Sequence, residues 1–468
     1  LNGKFGTAVL GAGLAGLASA YTLAKAKKRV VVVEKDSQVG GLSRTVVHNG
    51  FRFDLGGHRF FTKNPEIEEL VKNLLSDELV VARRSSKIFM RGKYFDYPLK
   101  PFNALLGLGM RESAKIVIDY SLERLRSRKS IISLEDWVVA NFGRELFNIF
   151  FKEYSEKVWG ISCDRISAEW VAQRIRGLSL GVALKDALLR INHRKPATLI
   201  REFLYSAKGI GRLAERLREE VAPNPVLLGC RVKRVDHARG RILNITAQNC
   251  DSEITIEASN YISSIPITSL VKMLSPEPPE EVLQAASKLR FRDTVIVAIM
   301  VNKPRVTSLS WIYIPEKKIP FGRIHEPNNW SEAMSPRGKT SLVTEYFCFS
   351  GEKLWNMSDE ELAQVTVEHL EELGFIKEKD VIDSRVVRVR NAYPLLEVGY
   401  RRHYEMILDY LSGFENLQLV GRTGMFRYHN MDHAMETGIK AARNILGEKH
   451  DLLTVNCATE YIEEVHPR

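Results

Sequence analysis

Apolar and polar positions alternate in blocks that change character along the chain. Residues 7–10 are a short apolar run that ends in a glycine-rich turn, Gly11-Ala12-Gly13-Leu14-Ala15-Gly16. A helical pattern rich in Ala and Leu covers 17–25, and a β-branched run over 29–33 closes on Glu34. Apolar residues then recur at helical spacing over 114–127, 134–140, 144–154, 170–176 and 211–220. Strand-like texture follows at 226–228, 231–235, 254–256 and 261–265, and again at 294–301, 311–314 and 342–346. An amphipathic helix is predicted over 360–373 and a strand over 417–422, entering the cofactor site. A last helix spans 433–446, begun after Asp432 and stopped at Gly447.

The opening block has the order strand, glycine turn, helix, strand, acid that a dinucleotide site requires. Gly11 permits the tight turn, Gly13 lets backbone approach a pyrophosphate, and Gly16 lets the helix pack closely. Unpaired N–H groups at the helix start, near Leu14 and Ala15, favour the phosphates. Glu34, followed by Lys35, stands where a carboxylate accepts hydrogen bonds from ribose hydroxyls. Two further glycine pairs come soon afterwards, in Gly40-Gly41-Leu42-Ser43-Arg44 and in Gly56-Gly57-His58. They allow more backbone to approach a long, buried cofactor, and Arg44 is available to its anionic part.

Composition narrows the class further. Over 468 residues, 44% hydrophobic and 27% charged content describes an ordinary folded chain of two or three domains. No run of about 18 apolar residues occurs, so no membrane span is expected. Nor does a charged segment followed by an apolar one open the chain, so no signal peptide is expected. Five scattered cysteines without a CxxC pair argue against a disulfide framework or zinc, and fit a reducing cytoplasm. No metal ligand cluster is read; His429 and His433, four apart, lack a carboxylate at useful spacing. The net charge of +11 suits an anionic partner, but no basic cluster interleaved with aromatics points to nucleic acid.

The Gly41-Leu42-Ser43-Arg44 segment after the acid resembles the amine-oxidase-like superfamily of FAD proteins. Four other segments resemble the UDP-galactopyranose mutases within it. Tyr154-Ser155-Glu156-Lys157-Val158-Trp159-Gly160 is similar to a segment that precedes the family's substrate loop, and Arg174 falls, with a one-residue insertion, on its first diphosphate-binding arginine. Phe321-Gly322-Arg323-Ile324-His325-Glu326 places Arg323 on the second. The stretch from Gly421-Arg422 to Tyr428-His429-Asn430-Met431-Asp432 resembles the segment whose arginine and closing Met-Asp backbone hold the flavin, with Tyr428 at the diphosphate. Gly57-His58 falls in the fourth, where the histidine lies beside the flavin ring. Asn430 stands where the family has aspartate and Phe426 where tyrosine is common. Both departures fall at the substrate end.

The resemblance implies an α/β fold. A discontinuous Rossmann-like FAD-binding domain (1–75, 205–265, 390–446) would join a helical domain (76–204) and a mainly antiparallel β-sheet substrate domain (266–389), leaving a tail over 447–468. It adds Val232 to the cofactor contacts, and Trp159, Tyr154, Asn430 and Phe426 to the substrate contacts, Trp159 by stacking on a base or by packing its own helix. The implied reaction interconverts pyranose and furanose forms of a UDP- or GDP-linked sugar through a reduced-flavin N5–sugar adduct. Arg174 and Arg323 would retain the departing diphosphate, NADH or NADPH would be candidate reductants, and a homodimer is compatible. His58 reads as a core histidine, a flavin-adjacent donor or a proton shuttle, the second being favoured. An FAD oxidase or dehydrogenase acting on an amine, porphyrinogen or polyene is the alternative, because the wider superfamily shares the amino-terminal motif.

Overall fold

The computed structural model describes residues 4–97, 107–126, 130–174, 198–199, 202–249, 252–456 and 464–465, with backbone alone at 172–174, 198–199 and 464–465. Strand β1 (Phe5–Leu10), helix α1 (Leu14–Lys25) and strand β2 (Val30–Val33) form the opening unit. All four valines of β2 are buried, as parallel strands covered on both faces must be. Helix α1 has Gly13 at its N-cap, no capping side chain and no acid in its first turn. Its first N–H groups are thus left to an external acceptor.

The first sheet runs Val226–Leu227, β2, β1, Ser252–Ser263, Arg241–Asn249, Arg231–Ala238, Leu274–Ser275. Leu417–Leu419 also pairs with the long strand Ser252–Ser263. That strand does two things: its first half is antiparallel to Arg241–Asn249, and its second half is parallel to β1 and Leu417–Leu419. The parallel strands end together beside Gly11, Ser264 and Gly421, where crevices of open α/β sheets form. The second sheet is mainly antiparallel, in the order Val381–Pro394, Phe291–Val301, Thr340–Cys348, Arg323–His325, Trp311–Tyr313, Ser86–Met90, Lys93–Asp96.

Several expected boundaries shift. The expected helical domain beginning at 76 takes in Ser86–Met90 and Lys93–Asp96, yet these strands complete the second sheet. Strand Val381–Pro394 crosses the expected boundary at 390, and Leu274–Ser275 extends the first sheet past 265. The helix expected over 144–154 continues through a π turn (Phe147–Lys152) to Trp159. Helix Tyr400–Ser412 has no counterpart among the expected elements, and the last helix starts at Met431 with Asn430 as N-cap.

Two basic side chains dock helix Glu153–Trp159 onto the second sheet. Arg292 donates to the Val158 carbonyl at 3.0 Å and to the Phe347 carbonyl at 2.9 Å. Lys157 Nζ donates to the carbonyls of Ile314 (2.8 Å), Glu316 (2.6 Å) and Phe321 (3.3 Å). These bonds satisfy carbonyls that the helix end and the hairpin leave open.

A buried carboxylate ties the hairpin Thr45–His48/Phe51–Asp54 to the segment that enters helix Gly211–Val221. Asp54, 0% exposed, accepts from Thr45 Oγ1 (2.6 Å), Tyr205 Oη (2.6 Å) and the Ile210 N–H (3.3 Å). Burial outweighs these donors and pushes its pKa up to about 7. The folded state then binds a proton that the unfolded chain has already released, so the Asp54 contribution is complete below about pH 4 and is lost as pH rises through about 7. Denaturant titrations across this window should show stability falling with pH by on the order of 4 kcal/mol at most. Asp54→Asn should remove that component of the slope.

Candidate active site at the cofactor cleft

A cleft of about 600 Å³ opens at the ends of the parallel strands. The first glycine loop makes one wall. A Cβ on Gly13 would meet no atom within 4 Å and would point into open space, whereas one on Gly16 would lie 2.0 Å from the Gly11 carbonyl oxygen. Gly13 therefore clears room for a ligand, and Gly16 serves packing within the loop. Glu34, 6% exposed, accepts from the Ala12 N–H at 2.7 Å and the Asp36 N–H at 3.0 Å. Burial raises its pKa while the two backbone donors pull it down. Lys35, Gly41, Leu42, Ser43 and Val232 also face the cleft, as do Gly11, Leu14 and Ala15. Arg44 does so too, paired with Asp36 at 3.0 Å. Gly421, Arg422, Asn430 and Met431 form the opposite wall. Arg422 donates to the His429 carbonyl at 2.7 Å and the Ala392 carbonyl at 3.2 Å, which locks the closing segment to the second sheet.

His58 lines the same cleft, and its buried Nδ1 has no hydrogen-bond partner among the described residues. Desolvation, with the charges of Arg422 and Arg323, pushes its pKa down to about 3. The imidazole is neutral at ordinary pH and can donate or accept one hydrogen bond toward a bound group. Behind it, the Trp311 ring occupies the place where a Cβ on Gly57 would stand, so Gly57 lets that ring close the wall.

Arg323 is fixed from several sides. Its Nε donates to Tyr154 Oη at 2.9 Å, and its Nη1 donates to Glu345 Oε2 at 3.1 Å and to Tyr393 Oη at 3.4 Å. The guanidinium carbon lies 5.0 Å from the Phe347 ring centre and 5.6 Å from that of Trp311. Glu345 is 1% exposed; burial raises its pKa and the Arg323 charge opposes the rise. Tyr393 then stacks on Tyr428 at 5.8 Å and 19°, with Arg422 over both rings at 5.3 and 4.9 Å. Arg323, Tyr154 and Tyr428 therefore belong to one connected cluster that reaches Arg422. Glu345, Tyr393, Trp311 and Phe347 were not singled out from sequence. Tyr393 lies in an unread strand, and only the aromatic spacing of 311 and 313 offered a signal.

Other sites fall elsewhere. Trp159 is 2% exposed and enclosed by Trp170, Tyr393 and Tyr428, which places its ring in the core rather than in the cleft. Phe426 is 1% exposed and packs on Phe291 at 5.0 Å beside Tyr400 and Tyr404. It belongs to the core beneath the first sheet, which corrects its assignment to substrate. Asp432 is 5% exposed, sits in the first turn of the last helix and has its pKa pushed up to about 6 by burial. Gly16, Gly57 and Asp432 support the cleft without lining it. Arg174 ends helix Ala168–Arg174, and its side chain lies outside the described residues. Among the described residues no His, Cys, Asp or Glu cluster fits a metal ion.

A glycine loop whose acid faces a deep cleft, closed by a second glycine–arginine segment, defines a dinucleotide-binding protein of the flavin type. The chain belongs to the flavin containing amine oxidoreductases, whose family profile matches residues 14–446. Coproporphyrinogen III oxidase of Bacillus subtilis (strain 168) is 20% identical over 462 residues, 90% of this chain and 94% of that one. Protoporphyrinogen oxidase 2, chloroplastic/mitochondrial, of Arabidopsis thaliana is 22% identical over 447 residues, 87% of each chain. A crystal structure of reduced UDP-galactopyranose mutase superposes with a TM-score of 0.85 at 21% identity and covers 98% of both chains. Fold is what that likeness establishes.

The cleft fits FAD: Glu34 offers a carboxylate at the strand end, Gly13 leaves the approach open, and helix α1 presents uncapped N–H groups. Gly13→Ala should keep the melting temperature of the apoprotein and lose most bound flavin, read from absorbance after purification. Gly16→Ala should lower stability by about 1–3 kcal/mol, because its methyl group overlaps the Gly11 carbonyl.

Proposed function

We propose that this flavoprotein is a mutase that interconverts pyranose and furanose forms of a UDP- or GDP-linked sugar. The observation that carries the reading is the Arg323 guanidinium, held by Tyr154, Glu345 and Tyr393 and ringed by aromatics, whose charge reaches His58 in the cleft. A permanently charged, pre-oriented fork of donors suits phosphate oxygens better than it suits an amine or a polyene. Arg174 is the other diphosphate contact in this reading, with Tyr428 and Asn430 at the same end of the substrate. FAD, when bound and reduced, supplies the nucleophilic chemistry. The residues of the chain bind and orient: Arg323 and Arg174 hold the nucleotide diphosphate near the sugar, so that departure and return are both short. The surrounding rings keep water away, and neutral His58 offers a hydrogen bond toward the cofactor. The likeness in fold to UDP-galactopyranose mutase supports this reading. NADH or NADPH as reductant, a cytoplasmic setting and a homodimer belong to the same proposal.

A second reading, an FAD oxidase acting on a porphyrinogen, draws on the names of the two sequence relatives. Dithionite-reduced, flavin-loaded protein should convert at least one UDP- or GDP-sugar, read by chromatography of the two ring forms. Arg323→Lys should retain FAD and lose roughly thirtyfold in kcat/KM, the loss of one charge-assisted contact of about 2 kcal/mol. No conversion across the panel, together with porphyrinogen-dependent bleaching of the oxidised flavin, would establish the second reading instead.

A further inference from the structure

Helix Met110–Leu125 is apolar on two opposite faces. Ile116 and Tyr120, 1% and 9% exposed, pack inward. Outward stand Met110 (90% exposed), Val117 (38%), Ile118 (61%), Leu122 (54%) and Leu125 (83%), and Ile131 and Ile132 continue the patch beyond the helix. At 3.6 residues per turn the five helical positions, with exposed Ala114 and Ser121 among them, fall on one stripe. Of the fifteen exposed large apolar side chains among the described residues, seven lie between 110 and 132. That clustering separates them from the single exposed apolar residues normal on any surface.

The charges are sorted as well. The exposed charged residues of the helix, Arg111, Lys115 and Arg124, are all basic, and Arg126 follows them. The three acids are half-buried on the inner flank. Glu112 accepts from Lys115 at 3.3 Å, Glu123 accepts from Arg126, and Asp119 accepts the Glu145 N–H at 2.9 Å. The outer face therefore presents an apolar stripe with a basic rim and no outward acid. A second copy docked on the same face would bring two basic rims together with nothing outward to pair them. Anionic phospholipid supplies both complements: acyl chains for the stripe and headgroup phosphates for the rim.

We propose that this helix docks the protein laterally on an anionic phospholipid surface. The apolar stripe sits at the headgroup–acyl boundary, and the Arg and Lys side chains extend to the phosphates. No helix among the described residues is long and apolar enough to cross a membrane, so the contact is peripheral.

The test is co-sedimentation of the full chain with large vesicles of equal parts phosphatidylglycerol and phosphatidylcholine, against vesicles of phosphatidylcholine alone. Binding should be confined to the anionic vesicles and should weaken as salt is raised. Leu122→Asp and Arg124→Glu, both at exposed positions and checked for unchanged melting, should each lower partitioning by on the order of tenfold. Sedimentation velocity without lipid reports the competing occupant. Absence of binding to anionic vesicles, equal binding by Leu122→Asp, or a lipid-free dimer that Leu122→Asp dissociates would each overturn the proposal.

Discussion

Close approach of backbone to backbone around the first loop is the constraint on which the rest of the structure depends. Gly11 takes a φ of +99°, and a Cβ there would stand 2.4 Å from Ser264 Oγ, whose hydroxyl donates to the Leu10 carbonyl. On the other side of helix α1, a Cβ on Gly438 would lie 2.1 Å from the Ala15 carbonyl oxygen. Three segments far apart in sequence can meet here only because side chains are missing between them. The last helix is thereby pressed against α1, which brings Arg422, Asn430 and Met431 to the cleft that Gly13 and Glu34 open from the other side. Loss of either contact would separate the cofactor's two walls before it touched any side chain that contacts the ligand.

The second requirement is electrostatic. Arg323 and Glu345 are both largely withdrawn from water, with side-chain exposures of 17% and 1%. Such a pair costs desolvation and contributes little net stability. Its geometry makes sense as pre-organisation. Two tyrosine hydroxyls and one carboxylate fix the guanidinium plane, and the flanking rings leave it few alternative rotamers. Burial first, and then the charges of Arg422 and Arg323, hold His58 neutral. The cleft thus has a permanent cation, Arg422, and an uncharged imidazole, His58, in its wall, with Arg323 acting on His58 from outside the lining.

The parts of the site written in local sequence were legible. The loop at Gly11 and the acid at Glu34 declare themselves because strand, turn and helix are consecutive, and the 421–432 segment repeats that compactness. Arg323 was legible through its neighbours in a matched segment. Its pairings were not: Tyr154, expected at the substrate, stands 169 residues away on helix Glu153–Trp159, while Glu345 and Tyr393, 22 and 70 residues away, reach it through the register of the second sheet. Strand Val381–Pro394 is not legible because Arg385, Arg388 and Arg390 interrupt its apolar pattern. Trp159 and Phe426 show the opposite failure. Aromatic residues inside a functional motif read as ligand contacts, while packing had already claimed both rings for the core.

Asn430 shows why a departure from a motif need not disturb the architecture. Asparagine and aspartate are equally good N-caps, and Asn430 has the extended backbone of that position at φ −78° and ψ −179°. The helix start, and with it Met431 at the cleft, is kept by either residue. Charge is what differs. Asp432, two residues on, is buried with its pKa already near 6, and its Oδ1 has no hydrogen-bond partner among the described residues. A carboxylate at 430 would set a like charge beside it and raise the cost of ionising either one. With asparagine this end of the cleft stays less negative, and the potential made by Arg422 and Arg323 is less cancelled. A change between these two residues therefore alters the local charge while leaving the start of the helix in place.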